Sequence, residues 1–118
     1  MDLGGWWDYP NSTEIGSFVS RSGKLPLVGW VVGKNPRVTV LVDSREVVTF
    51  PPVLYREDIA ICFYHASGGA AGLNAWSHAI DVTGFEPGEH DVGIIVRDDT
   101  HPPQSLGVRR VDFTVSPP

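Results

Sequence analysis

Strict alternation of side chains is the feature that most limits what this chain can fold into. In the segment RVTVLVDS (residues 37–44), Val38, Val40 and Val42 occupy one side and the intervening residues the other. A period of two residues is the periodicity of a β-strand, because successive side chains point to opposite faces. The same period recurs along most of the chain, so we expect strands that each bury one face.

Turn residues divide these strands. The chain contains 13 glycines and 10 prolines, which favour turns and disfavour long helices. Residues 56–64 are the one helical candidate, because Ile59, Cys62 and Phe63 follow a helical spacing over barely two turns. We predict an all-β fold, an antiparallel sandwich or barrel of about seven strands, with one short helical turn near residues 56–64.

Length and charge restrict the classes of function. A chain of 118 residues can bury one core, so we predict a single domain. Nine basic and 14 acidic residues give a net charge of −5, whereas nucleic-acid binding needs a basic face, so no nucleic-acid partner is expected. The longest apolar stretches have the length of a strand, which predicts no membrane insertion. The single cysteine, Cys62, excludes an internal disulfide.

The two ends of the chain differ from its middle. The first residues, MDLGGWWDYP, lack the basic start and apolar run of a signal peptide, and the final VSPP is typical of the start of a linker. We assign residues 1–13 to an N-terminal extension, 14–115 to the sandwich and 116–118 to the start of a linker. A module cut from a longer polypeptide is favoured, with a cytoplasmic protein as the alternative.

The stretch TGFEPGEHDVGIIVRDDTH (residues 83–101) holds five carboxylates and two histidines. Its carboxylates fall at turns or on the solvent face of a strand, and Asp81 just before it is expected to cap a turn. The spacing Phe85-x-x-Gly88-x-His90 resembles the corner of Ig-like sandwiches, where an aromatic hydroxyl ties the start of a strand to the upstream backbone. A histidine ring nitrogen can make the same tie, so we assign structural roles to Gly88 and His90.

Four segments together carry a resemblance to one family. They are LVGWVV (27–32), VTVLVDSREV (38–47), YREDIAICFY (55–64) and AWSHAIDVTGFEPGEHDVGIIVRD (75–98). This set resembles the bacterial Ig-like domains that are appended to larger secreted, cell-surface or polysaccharide-related proteins. The specific part is the combination of Gly29-Trp30, Asp81-x-Thr83-Gly84 and Gly88-x-His90, while Gly33, Ser44 and His78 depart from the family pattern.

The resemblance implies an Ig-like sandwich without catalytic activity. It also implies an extracellular or cell-surface location as part of a larger polypeptide. Domains of this kind act as spacers or as binding modules, in some cases for glycans. Some related sandwiches hold calcium at aspartates like Asp98. The glycine at position 33, where the family often has an aspartate, counts against this, and the question of calcium near Asp98 stays open.

The residues themselves do not form a recognisable catalytic arrangement. Asp98, Asp99 and His101 are the best metal candidates, but no second ligand cluster accompanies them. Cys62 and His65 are three residues apart and adjoin apolar neighbours, which favours an inert thiol. The pattern lacks the paired acids of a glycosidase, a nucleophile elbow and a phosphate loop. We predict no enzymatic activity, no metal and no cofactor.

Aromatic residues give the main lead to a function. Trp6, Trp7 and Tyr9 cluster near the amino end, and flat aromatic faces with polar neighbours are suited to binding sugars. The alternative is that Trp6 or Trp7 caps one end of the sandwich. Trp30 and Trp76 are assigned to the core.

A second candidate surface is the segment from Tyr55 to His65, in which Arg56 and Tyr64 are the predicted ligand-binding residues. Its polar residues alternate with core anchors and can face a partner. Two classes of function follow from the sequence. The first is a structural or interaction module, and the second is a carbohydrate-binding module that presents aromatic residues to a glycan.

Overall fold

Seven strands and one short helix make up the described part of the chain. The computed structural model describes residues 3–10, 23–62 and 73–113. The predicted all-β fold, with its short helical turn near residues 56–64, is confirmed. The elements are β1 (Gly4–Tyr9), β2 (Lys24–Val32), β3 (Arg37–Val42), β4 (Arg45–Phe50), α1 (Glu57–Cys62), β5 (Ala75–Asp81), β6 (Glu89–Arg97) and β7 (Gln104–Asp112).

Two antiparallel sheets face each other. One has the order β1-β2-β5 and the other the order β4-β3-β6-β7. Residues 4–9 belong to the first sheet, with a register that runs from Gly4 opposite Val32 to Tyr9 opposite Val28. The sequence places this segment in an extension ahead of the sandwich, whereas it is an edge strand of the sandwich. Within the described ranges, no helix has the length and apolar character needed to span a bilayer.

The inward faces of both sheets follow the alternation seen in the sequence. Val38, Val40 and Val42 are buried as predicted, and they pack with other apolar residues in one cluster. Full burial of one such side chain stabilises the fold by about 1.5–3 kcal/mol. The fully or nearly fully buried members from the other strands include Leu25, Leu27, Val31, Trp76, Ile80, Val92, Ile94, Val96 and Val111.

Gly29 lies at the centre of the three-stranded sheet between two tryptophans. Trp7 is opposite Gly29 on one side and Trp76 on the other, and both indoles are buried. A Cβ atom at Gly29 would lie 2.3 Å from Cζ2 of Trp76 and 2.3 Å from the carbonyl oxygen of Trp6. The indole of Trp76 and the backbone of Trp6 therefore occupy the space that any larger residue would need. Because Gly29 faces inward, its neighbour Trp30 faces outward and is half-buried, so assigning Trp30 to the core is wrong.

The described chain begins and ends at opposite poles of the sandwich. Leu3 contacts the β2–β3 loop, where a Cβ at Gly33 would lie 3.1 Å from the Leu3 side chain. We call this end the Leu3 pole. Phe113 follows β7 at the other end, where its N–H donates to the carbonyl oxygen of Gly88 at 2.8 Å. We call this end the Phe113 pole.

Among the described strands, three pairings contain an irregular register, and each involves an edge strand. In each case the extra residue lies on the edge strand itself: Asp8 on β1, Val47 on β4 and Leu106 on β7. The register between β3 and β6 and the register between β2 and β5 are regular. β5 is also an edge strand, and a bridge between Leu54 and Ala75 covers its start.

The packing at Gly29 predicts a large effect for a small substitution. Gly29→Ala should lower the free energy of unfolding by about 1–3 kcal/mol, because the added methyl group overpacks the contact with Trp76. Gly84→Ala is the matched control, since a Cβ at Gly84 meets no atom within 4 Å. Urea unfolding of both variants measures the difference. Equal midpoints for the two variants would contradict the packing described for Gly29.

Candidate functional site

A row of apolar side chains crosses the outer face of the three-stranded sheet near the Leu3 pole. Trp6 on β1 is opposite Trp30 on β2, Trp30 is opposite Ala75 on β5, and Ala75 bridges Leu54. We call these four residues the tryptophan row. The indole of Trp6 is 58% exposed, and Leu54 is 47% exposed. Trp6 faces outward because Trp7, its neighbour on the strand, faces the core.

Trp7 is part of the core and not of an exposed platform. Its side chain is 1% exposed, and its Nε1 donates to the carbonyl oxygen of Tyr9 at 2.8 Å. The guanidinium carbon of Arg109, which comes from β7 in the opposite sheet, lies 4.3 Å from the centre of the indole. Arg109 also donates to the carbonyl oxygen of Pro10, and burial lowers the pKa of its guanidinium. Trp7 and Arg109 thus connect the edges of the two sheets.

The structure therefore separates the three aromatics that the sequence groups into one binding platform. Trp6 is exposed, Trp7 is buried, and Tyr9 is half-buried against the core. The alternative, in which Trp6 or Trp7 caps one end of the sandwich, does not describe Trp7 either, because Trp7 is buried within the sheet opposite Gly29. The sequence misses Leu54 as a surface residue, although Pro51-Pro52 just before it indicates a loop in which apolar side chains need not be buried.

Arg56 joins the segment after β4 to β1. Its Nη2 donates to Oδ2 of Asp58 at 2.7 Å, and its Nη1 donates to Oδ2 of Asp8 at 3.1 Å. The backbone of Arg56 is held as well, because its N–H donates to Oδ1 of Asn74 at 2.7 Å and its carbonyl accepts from Nδ2 of Asn74 at 3.0 Å. The hydrogen bond to Asp58 raises the pKa of Arg56. Tyr64, the other residue predicted in this segment, lies outside the described residues.

His90 and Gly88 form the corner at the Phe113 pole. Nε2 of His90 lies 2.7 Å from the carbonyl oxygen of Glu86, four residues upstream, which is the kind of contact expected from the spacing. Nδ1 lies 2.6 Å from Oδ2 of Asp43, a partner in the β3–β4 turn that the sequence does not reveal. Gly88 has a φ of +116°, in the region that favours glycine, and its carbonyl accepts from Phe113.

Asp81 caps a turn, which is the role expected from the sequence. Its Oδ1 accepts from the backbone N–H of Thr83 at 2.9 Å and from the Thr83 hydroxyl at 2.6 Å. Lys24 adds a longer contact of 3.4 Å to Oδ2. The hydrogen bonds from Thr83 lower the pKa of Asp81 to about 2, and the carboxylate is therefore charged at neutral pH.

Asp98 closes the loop between β6 and β7. Its carboxylate is wholly inaccessible and accepts from the backbone N–H groups of Lys34, Thr100 and His101 at 3.1, 3.1 and 2.8 Å. Burial acts to raise the pKa of Asp98, but these N–H donors and the His101 ring outweigh it, so the pKa lies well below its usual value. Gly33 is required here, because its Cβ would lie 2.9 Å from Oδ2 of Asp98.

The predicted metal candidates make contacts within the protein: Asp98 and His101 contact each other, and Asp99 pairs with Arg37. Oδ1 and Oδ2 of Asp98 accept hydrogen bonds from protein donors, and Nδ1 of His101 lies 3.0 Å from Oδ2 of Asp98. Asp99 turns to Nη1 of Arg37 at 3.1 Å. Across residues 3–10, 23–62 and 73–113, the His, Cys, Asp and Glu side chains form no group of three or more that could hold a metal ion.

The neighbours Asp98 and Asp99 should differ sharply in their contribution to stability. Asp98→Ala leaves three partly buried backbone N–H groups without their acceptor and should cost about 1–3 kcal/mol. Asp99→Ala removes a half-exposed ion pair and should cost less than about 1 kcal/mol. Thermal unfolding of the two variants measures the difference. If calcium ions raised the midpoint of the wild-type chain but not that of Asp98→Ala, the closed turn described for Asp98 would be wrong.

The two antiparallel sheets, with the strand orders β1-β2-β5 and β4-β3-β6-β7, define the fold as an Ig-like, fibronectin III-like β-sandwich. Among solved structures, the chain is similar to the fibronectin(III)-like modules of Clostridium thermocellum CbhA, with a TM-score of 0.55 and 11% sequence identity. The match covers 97% of this chain and 100% of the other. No family model and no curated protein matches the sequence. At this identity the likeness shows the fold alone.

Proposed function

We propose that this chain is a non-catalytic accessory module of a larger bacterial protein, in which it acts as a spacer or as an interaction module. The position of the two ends carries the proposal. Leu3 lies at one pole and Phe113 at the other, so neighbouring parts of a polypeptide would join at opposite ends. The nine-residue strands between the poles span about 30 Å, which is the separation that one module would impose.

The electrostatics of the carboxylates support a non-catalytic role. Asp81 and Asp98 each cap a turn, and their pKa values lie below the usual value of 3.8. A general acid needs the opposite shift, which comes from burial without donors. His90 has an acceptor at each ring nitrogen, so neither nitrogen is available as a base. The fold shared with fibronectin(III)-like modules is in line with this role.

A distance measurement between two reporter domains tests the spacer role. One fluorescent protein is fused before Leu3 and a second after Phe113, and the distance distribution is read from time-resolved energy transfer. A folded module should give a narrow distribution, because its length is fixed by the strands. A flexible Gly/Ser linker of 118 residues is the control and should give a broad one. A broad distribution for the folded module would contradict the spacer.

Carbohydrate binding is a second candidate, favoured by the exposure of Trp6. In the tryptophan row Ala75 is covered, whereas the indole of Trp6 is exposed, and an exposed aromatic ring suits the apolar face of a sugar. Arg56 and Asp8 supply polar groups on neighbouring segments. A glycan is the partner proposed for this face, and a protein surface is the alternative outcome of the test.

Two adjacent tryptophans separate binding from stability. Trp6→Ala should change the free energy of unfolding by less than about 0.5 kcal/mol, because the side chain is mostly exposed. Trp7→Ala should cost about 3–5 kcal/mol, as truncation of a buried aromatic does. Affinity electrophoresis in gels that contain cellulose derivatives, xylan or β-glucan measures binding. Retardation should disappear in Trp6→Ala.

Val108→Ala is the matched control for the binding measurement. Val108 is 65% exposed but lies on β7 in the other sheet, so its substitution should leave retardation unchanged. Equal retardation of the wild-type chain and of Trp6→Ala would rule out the tryptophan row as the binding face. If no polysaccharide retards the wild-type chain, the carbohydrate proposal fails and the spacer proposal is unaffected.

A further inference from the structure

The ring of His90 is held between two groups that only accept hydrogen bonds. Oδ2 of Asp43 lies 2.6 Å from Nδ1, and the carbonyl oxygen of Glu86 lies 2.7 Å from Nε2. A carbonyl and an ionised carboxylate both require a donor, so both ring nitrogens must carry a proton for the two bonds to form. Only the positively charged imidazolium has a proton on each nitrogen. The geometry of this corner is therefore that of a charged His90.

The face of the same ring packs on the end of β7. The rings of His90 and Phe113 are stacked, with centroids 4.4 Å apart and planes at 20°, and Phe85 meets both rings edge-on. A cation is attracted to the face of an aromatic ring. The N–H of Phe113 also donates to Gly88 in the corner that precedes β6. His90 therefore contacts the β3–β4 turn, the β5–β6 corner and the end of β7.

The charges around the ring favour the imidazolium. Burial opposes the charged form, but the hydrogen bonds to Asp43 and to the Glu86 carbonyl outweigh it, so the pKa of His90 lies above its usual 6.5. The hydrogen bond from His90 in turn lowers the pKa of Asp43 from its usual 3.8. The Glu86 carboxylate adds a further favourable charge. Among the described residues, the other charged side chains at the Phe113 pole include Glu89 and Asp91, which pair with Arg110, and Asp81, which pairs with Lys24. Arg45 and Asp112 lie at the same pole.

We infer that His90 is a proton-dependent latch at the Phe113 pole. As an imidazolium it fastens the β3–β4 turn, the β5–β6 corner and the end of β7 to one another. A neutral ring has one N–H, so on losing its proton it leaves either Oδ2 of Asp43 or the Glu86 carbonyl without its donor, and the attraction between the cation and Phe113 is lost. Oδ1 of Asp43 keeps the backbone N–H of Asp91 at 3.0 Å. The pole at which the described chain ends is therefore fastened in mildly acidic solution and loosened in alkaline solution.

The direction of both pKa shifts fixes the range in which the latch works. Because folding raises the pKa of His90, the stabilisation is complete below the unfolded value of about 6.5 and is lost as the pH rises through the folded value. Because folding lowers the pKa of Asp43, the stabilisation is present above about 3.8 and is lost as the pH falls through the folded value. The latch should contribute fully between about pH 4 and about pH 6.5.

The test uses the whole chain and three measurements. NMR titration gives the pKa of the His90 ring, hydrogen exchange reports the opening of the Phe113 amide, and thermal melts at about pH 5.5 and about pH 8.5 give the overall loss. The thermal unfolding midpoint of the wild-type chain should be lower at about pH 8.5 than at about pH 5.5. For each unit by which the pKa of folded His90 exceeds 6.5, the fraction of molecules open at the Phe113 amide should rise about tenfold at the higher pH.

His78→Gln is the matched control for His90→Gln. The ring of His78 stacks on Phe50 with centroids 4.3 Å apart, so the two histidines share an aromatic contact and differ in their polar partners. We expect His90→Gln to lose most of the pH dependence and His78→Gln to keep it. If His90→Gln does not fold, Asp43→Asn replaces it and should lower the pKa of His90. A wild-type pKa at or below 6.5, equal pH dependence in both glutamine variants, or an unchanged pKa in Asp43→Asn would overturn the latch.

Discussion

The space that Gly29 leaves between two tryptophans is the constraint on which the rest of the sandwich depends. Trp7 and Trp76 come from the strands on either side, and both indoles are buried against the middle strand. Arg109 reaches across from the other sheet and covers the ring of Trp7. Since Trp7 is directed inward, Trp6 has to be directed outward. The candidate binding face is thus a direct consequence of how the core is packed.

Strand alternation predicts most of this fold, and the errors at Trp30 and in β1 have different causes. Leu25, Leu27 and Val31 share a face of β2, and Gly29 has the same parity, so Trp30 falls on the opposite face. Trp30 was assigned to the core because of its size, although its position in the alternation places it on the outer face. In β1 the adjacent tryptophans hide the alternation altogether. The sequence does not show which of the two is inward, because that depends on a glycine in another strand.

Contacts between residues close in the chain are predictable at Asp81 and at His90, and contacts between distant residues are not. The bond from His90 to Glu86 spans four residues and follows from a recognisable spacing. Asp43 lies 47 residues from His90, and Lys34 lies 64 residues from Asp98, so neither partner can be found before the strands are placed. The distant partners nevertheless decide the chemistry, because they complete the donors and acceptors that determine the charge on each group.

The irregular registers of the edge strands affect how readily neighbouring copies of this chain can pair with one another. An edge strand offers unpaired backbone groups to any neighbouring strand, and a bulge twists the edge so that a straight strand cannot align with it. The extra residues Asp8, Val47 and Leu106 place such an irregularity on three of the four edges, and the bridge at Leu54 covers part of the fourth. The bulges on three edges thereby disfavour sheet-to-sheet pairing between crowded copies, which is the contact from which cross-β aggregation starts.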